Sequence, residues 1–458
     1  MQNNFYFLKI ILIFFFSINN IHGIINVSAK EQKSENTLEI IRDVELEEYT
    51  KKISSILLEN TSINADELNY YFINSNEINA FVTSGNNLFI NTELIIASED
   101  YREYLSVIAH ELSHILSGHV FRTKEEIRKL GERSLPVYLL GILGILSGAG
   151  DAGLATLMIG SASVQDSYRY YSRNQEAIAD QVAIKMLCEN NIDAEYFLEF
   201  LKKLERTISS TLQQTSYRST HPLVSDRFTW IKSGLNQYNG CEYDEDKNLQ
   251  KEFKLLKAKL FGFTHKKNET LATYSATSDV DKYAIAVAKY FSGEQDKSIE
   301  LLIELIDDNS SNPFFRELLG EIYFSKHQYE SAIELQTKSM DLLKNPNDLS
   351  LMIIANYYIA LDKNDSYLKS IKYLKQSIRI RPSNTYSWYL LAIAYAGTNN
   401  LALAQYATAE RYYLLGDYQL AYQFVSKSLK DIEKNTTEWY RANDLLNIML
   451  NKKEKDTR

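Results

Sequence analysis

A chain of 458 residues with 45% hydrophobic and 24% charged residues can bury a sizeable core, and its length suits two or three domains. Its net charge of -9 leaves no basic footprint, so a nucleic-acid partner is not expected and a protein partner is. Two cysteines, Cys188 and Cys241, are too few for a disulfide framework and lack C-x-x-C spacing; one bridge or two buried thiols are equally open.

The chain opens with Lys9 ahead of an apolar run from Ile10 to Phe16 and the small-residue site "VSA" at Val27 to Ala29. That pattern predicts a signal peptide over 1–29, cut before Lys30, with cleavage after Gly23 and an uncleaved anchor as the alternatives. The chain is therefore expected to be exported, with membrane association if the anchor stays. From Leu38 to Thr61 apolar residues recur at helical spacing, which predicts an amphipathic first helix. "INAFVTSGNNLFINTELI" then turns β-branched and aromatic around Ser84 to Asn87 and predicts a β-hairpin.

Helical periodicity returns from Tyr101 to Val120, with Gly118 near the end, and carries His110, Glu111 and His114 in the order H-E-x-x-H. Four residues apart on a helix, His110 and His114 lie one above the other and can close on one ion. Glu111 is rotated away from them, where it can hold the water that the ion polarises; metal-assisted peptide hydrolysis needs this division of labour. His119, just beyond the metal helix, is read as lying on a different face from His110 and His114, in a structural role.

Further on, "YYSRNQEAIADQVAIKML" places Glu176 and Asp180 at i and i+4 of an expected helix. Glu176 suits a third metal ligand and Asp180 an acceptor that orients a ligand imidazole. An ordinary solvated acidic face fits that spacing equally well. Between the two helices, 135–164 carries Asp151 as its only charge and six glycines, and each apolar run is shorter than a membrane span. A buried helical hairpin and an apolar lid against a membrane face or unfolded substrate are both open for it.

The combination of "AHELSH", "SRNQEAIAD" and "STHPLVSDR" resembles the zinc metallopeptidase family of the prenyl-protein endoprotease, in particular its periplasmic, tetratricopeptide-bearing branch. The resemblance covers most of the chain after the signal. It implies a gluzincin-type fold, one Zn2+ per chain on His110, His114 and Glu176, Glu111 as general base and Asp180 behind the ligands. It further implies that the hairpin's edge strand pairs with an extended peptide, a mode that binds backbone without demanding a sequence. His221 would lie on a loop over the active site, as a ligand in a resting state or a transition-state donor. Arg227 matches the family pattern without an assigned role. Ser113 and Ala183 stand where the family often has glycine; both are small, so the departure concerns packing alone.

The second half has another grammar. "KSIELL", "ESAIEL", "LKSIKYL" and "LALAQY" recur with a small residue at Ser298, Ala332, Ser370 and Ala404, a tetratricopeptide period with a short insertion in the middle unit. Pro313 and Pro382 mark turns, and a half-repeat step to Ala421 predicts shared helices or a cap. Such a stack offers a concave surface for a peptide or partner protein.

The fold class expected is mainly α: a metallopeptidase domain with a small sheet over 30–240, a helical connector over 241–279, and an α-solenoid over 280–458. The expected function is an exported zinc endopeptidase acting on misfolded or stalled envelope proteins, its repeats recruiting substrate or, by resemblance, the outer-membrane β-barrel assembly machinery. The competing expectation is a chaperone or scaffold with a resting metal site.

Overall fold

A computed structural model describes residues 39–119, 171–210, 221–238 and 243–456, less positions 84, 172, 222–224, 244 and 344. The expected signal peptide, the apolar segment 135–164 and Cys241 lie outside the described residues. Cys188 is in a disulfide, and the chain holds one other cysteine.

The first helix is shorter than its periodicity predicts. Glu39–Ile41 forms a strand, β1, and Asp43 then caps α1 (Val44–Leu58), its side chain accepting from the Leu46 amide. An aspartate three residues ahead of the first buried leucine of the turn is a strong N-cap, and it ends the extended segment there. β2 (Asn69–Asn74), unmarked in the sequence reading, runs parallel to β4 (Asn87–Asn91) and antiparallel to β1. β3 (Ala80–Thr83) and β4 form the expected hairpin, with Gly85 and Asn86 at positive φ in the turn. The strand order β1-β2-β4-β3 leaves β3 at an edge of the sheet among the described residues.

The "TELI" that closes the hairpin stretch starts α2 (Thr92–Ala97) instead of extending the strand. α3 (Tyr101–Leu116) follows, capped by Asp100, and packs against α4 (Arg173–Glu189), α5 (Glu195–Ser210) and the edge strand β3. Every residue of α3 up to Ile115 is buried. Its apolar members, among them Leu105, Ile108 and Leu112, join the first core with α1, the sheet and α5, so the polar residues of the motif are held in a rigid helix. α6 (Ser225–Gln237) closes on α4.

The polar connector turns out to be structural. α7 (Lys247–Thr264) buries Leu249, Phe253, Leu256 and Leu260 in the first core while Leu255 joins the next one, so one helix serves two cores. α8 (Lys267–Thr273) leads to helix pairs: α9 (Asp279–Phe291) with α10 (Gln295–Asp308), α11 (Pro313–Ser325) with α12 (Tyr329–Leu343), α13 (Asp348–Ala360) with α14 (Asn364–Ile380), and α15 (Thr385–Gly397) with α16 (Leu401–Leu414). The four repeated motifs all fall on the second helix of a pair. Their small residues permit close approach: a Cβ added at Gly320 would stand 3.3 Å from the carbonyl oxygen of Ala332 on the facing helix. α17 (Tyr418–Ser428) packs on α16 and then on α18 (Thr437–Asp456).

The start of α1 is clamped between the two halves by buried charges. Arg42 pairs with Glu47 and reaches Asp348 of α13 at 3.2 Å. Lys259 of α7 lies 2.6 Å from Asp43 and 3.3 Å from Glu45, Tyr283 of α9 donates to Glu45, and Glu317 and Glu321 of α11 face the same ammonium. Tyr290 donates to Glu321. Burial, with Asp43 adding to it and Lys259 opposing, pushes the Glu45 carboxyl up to about 7; burial likewise pushes Glu317 up to about 8 against Lys259. From the ordinary carboxylate value of 4.5 up to that range, the folded protein holds protons that the unfolded chain releases, so stability falls as pH rises. Each tenfold difference in proton affinity is worth about 1.4 kcal/mol. Glu317→Gln, which fixes the protonated shape, is expected to be more stable than the parent by about 1–3 kcal/mol near pH 8.5 and indistinguishable near pH 5. Paired thermal melts across that range check it; an equal offset at every pH contradicts it.

Candidate metal centre

Three helices and one loop residue bring the site together. His110 and His114 sit one turn apart on α3, Glu176 and Asp180 one turn apart on α4, Arg227 on α6, and His221 just ahead of it; all are fully buried. The acidic pair of α4 is therefore not a solvated face. The departures from the family pattern are absorbed: Ser113 bonds back to the Ala109 carbonyl and Ala183 is buried between helices.

The donor atoms converge. His110 Nε2 is 3.2 Å from His114 Nε2 and 3.2 Å from His221 Nδ1; Glu176 Oε1 is 3.1 Å from His221 Nδ1 and 3.4 Å from His114 Nε2. A tetrahedral site with bonds of about 2.0–2.1 Å has donor-to-donor edges of roughly 3.3–3.4 Å, so this spacing suits a small divalent ion. Electron-pair bookkeeping agrees. His110 stands between two acceptor-only carboxylates, with Nδ1 3.0 Å from Asp180 Oδ1 and Nε2 3.5 Å from Glu176 Oε2. Positive charge among these buried acceptors, whether a bound ion or a protonated imidazole, balances them.

Charge behind the donors is balanced by Arg227. It meets Asp180 through two bonds, Nε to Oδ2 at 2.9 Å and Nη2 to Oδ1 at 2.7 Å, and stands 3.2 Å from Glu176. Burial alone would raise both carboxyls, but His221 and Arg227 hold Glu176 well below the ordinary range, and Arg227 with His110 lowers Asp180. The sequence gives Arg227 no role; its guanidinium fork on two carboxylates now supplies one. Glu111 faces the centre from the side, with Oε1 3.1 Å from His221 Nε2. Burial opposes protonation of His221, yet Glu111 and Glu176 outweigh it and raise the imidazole to about 10.

His119 is a correction. α3 ends at Leu116, Gly118 follows at φ +67°, and His119 beyond it does not face away from the ligand histidines. It returns onto the site and brings its Nδ1 within 2.9 Å of His114 Nδ1. Tyr171, also unmarked in the sequence reading, stacks flat on His114 with ring centroids 3.7 Å apart.

Residues 44–234 match the model of peptidase family M48. The chain carries an M48 metallopeptidase domain. Along 88% of its length it is also 23% identical to the β-barrel assembly-enhancing protease of Escherichia coli K12, spanning 82% of that protein. The Yersinia pestis protein of the same name is 24% identical over 88% of this chain and 83% of its own. The putative β-barrel assembly-enhancing protease of Vibrio cholerae is 24% identical over 87% and 82%. The mainly helical architecture with a small sheet agrees with the fold expected from sequence, and the matched region contains all six residues that build the centre. No helix among the described residues is long and apolar enough to cross a membrane.

Proposed function

We propose that this chain is an exported zinc endopeptidase that cleaves misfolded or stalled envelope proteins. His110, His114 and Glu176 hold one zinc ion per chain, Glu111 is the general base, and Asp180 orients His110. The observation that carries the reading is the convergence of three imidazoles and a carboxylate, their donor atoms within 4.8 Å of one another, with a further buried carboxylate, Glu111, beside them. A purely structural ion would leave Glu111 buried without work, which disfavours the scaffold alternative. Two histidines and a carboxylate are borderline ligands that suit zinc.

Bound there, the ion supplies Lewis acidity. Glu111 takes a proton from the attacking water and later delivers it to the leaving amine, the usual duty of a general base beside a scissile peptide. The edge strand β3 packs against α3, so an extended substrate pairing with it would pass the motif helix. The repeats over 280–458 recruit substrate or the outer-membrane β-barrel assembly machinery and raise the effective concentration of peptide at a cutting domain over 30–240, joined through 241–279. Support for a periplasmic home comes from the disulfide of Cys188, a bond kept in oxidising compartments.

His221 takes the fourth donor position through Nδ1 and covers Glu111 through Nε2. A peptide carbonyl and its water would need both places, which supports reading this arrangement as a resting one. His221→Ala is expected to degrade a soluble unfolded protein faster than the parent, by about 3- to 30-fold according to how far the closed state outweighs the open one. Unchanged zinc content with a slower rate would instead make His221 a transition-state donor.

A further inference from the structure

We propose that His119 is a positioning residue for the metal centre: its imidazole accepts the Nδ1 proton of His114 and thereby holds His114 Nε2 bare toward the other donors. The inference rests on the zinc reading above and adds to it a partner that fixes the tautomer of one ligand.

The two α3 histidines need the same thing and receive it differently. A neutral imidazole carries one proton, and a ring that ligates through Nε2 must keep it on Nδ1, where a hydrogen-bond acceptor fixes both tautomer and ring plane. For His110 the acceptor position is filled by Asp180, itself held by Arg227. For His114 the atom at that place is His119 Nδ1, at 2.9 Å and fully enclosed. His119 must then be the tautomer with its own proton on Nε2, since two N–H groups cannot face each other at that distance. Tyr171 stacked on the His114 ring leaves it little freedom to rotate away.

The chain is built to make this contact. After Ser117 caps α3, Gly118 takes φ +67°, a conformation that side chains rarely adopt, and a Cβ there would meet nothing within 4 Å. Space therefore does not require the glycine; the left-handed turn does, and the turn brings His119 back over the last helical turn to His114.

Zinc affinity of the full chain, measured by competition with a chromophoric chelator, tests the proposal. His119→Ala is expected to bind zinc about 10- to 100-fold more weakly, the usual cost of losing a partner behind a ligand. His119→Asn, whose side-chain carbonyl can accept the same proton, is expected to recover most of that loss. A residue that merely filled space would not distinguish alanine from asparagine in this way. Nitrogen-15 spectra of the zinc-loaded parent with labelled histidine give a second reading that needs no variant: His114 protonated on Nδ1 and His119 on Nε2. Parental affinity in His119→Ala, equal losses in both variants, or His119 protonated on Nδ1 would overturn the assignment. If His114→Ala also leaves zinc affinity unchanged, the metal reading itself has failed, a result distinct from a silent His119.

Discussion

Glu111→Gln is expected to lower kcat/KM for an unfolded protein substrate by about 10²- to 10⁴-fold, the usual contribution of a general base, while leaving zinc binding near that of the parent. The substitution keeps the size of the side chain and its contact with His221 while removing the ability to take a proton. Glu111 lies beside the converging donors without being one of them, which is why the loss should fall on chemistry and not on the metal. Steady-state cleavage alongside metal analysis separates the two. A variant that cleaved like the parent would remove Glu111 from the mechanism.

Arg227→Ala should be the most damaging single change to stability. Its guanidinium is buried and pairs with two buried carboxylates, Asp180 and Glu176. Removing one partner of a buried ion pair costs about 3–5 kcal/mol, because the charges left behind have no solvent. Here two carboxylates are left, and both belong to the metal centre. The variant is expected to melt well below the parent in metal-free buffer and to regain part of the loss when zinc is added, since a cation between His110, His114 and Glu176 offsets the same negative charge. A melt unchanged in both conditions would mean that the fork does not carry the load assigned to it.

The metal helix was legible because its chemistry and its period coincide: H-E-x-x-H within a run whose apolar residues all face one core. Glu176 and Asp180 were legible only through their motif, since an acidic pair one turn apart looks the same on a surface as in a core. Three things escaped. β1 has three residues, and the pattern around Glu39–Ile41 also suits the helix that follows; β2, though longer, is set by its pairing with β1 and β4, which sequence does not show. The role of Arg227 needed the fold to bring α6 onto α4. His119, beyond the helix end, was expected to face away from the ligands; the positive-φ turn at Gly118 that accompanies its contact with His114 has no signal in helical periodicity. In the second half, the period of the small residues placed the helix pairs, while nothing in the connector's polarity foretold that α7 would serve two cores.

The most direct test of the central claim is metal content paired with cleavage in the purified full chain. About one zinc per chain is expected in the parent and in Glu111→Gln, and far less in His110→Ala; a chelator should stop cleavage by the parent and added zinc should restore it. A parent that degrades unfolded protein equally well without any divalent ion, or that never binds one, would contradict the account.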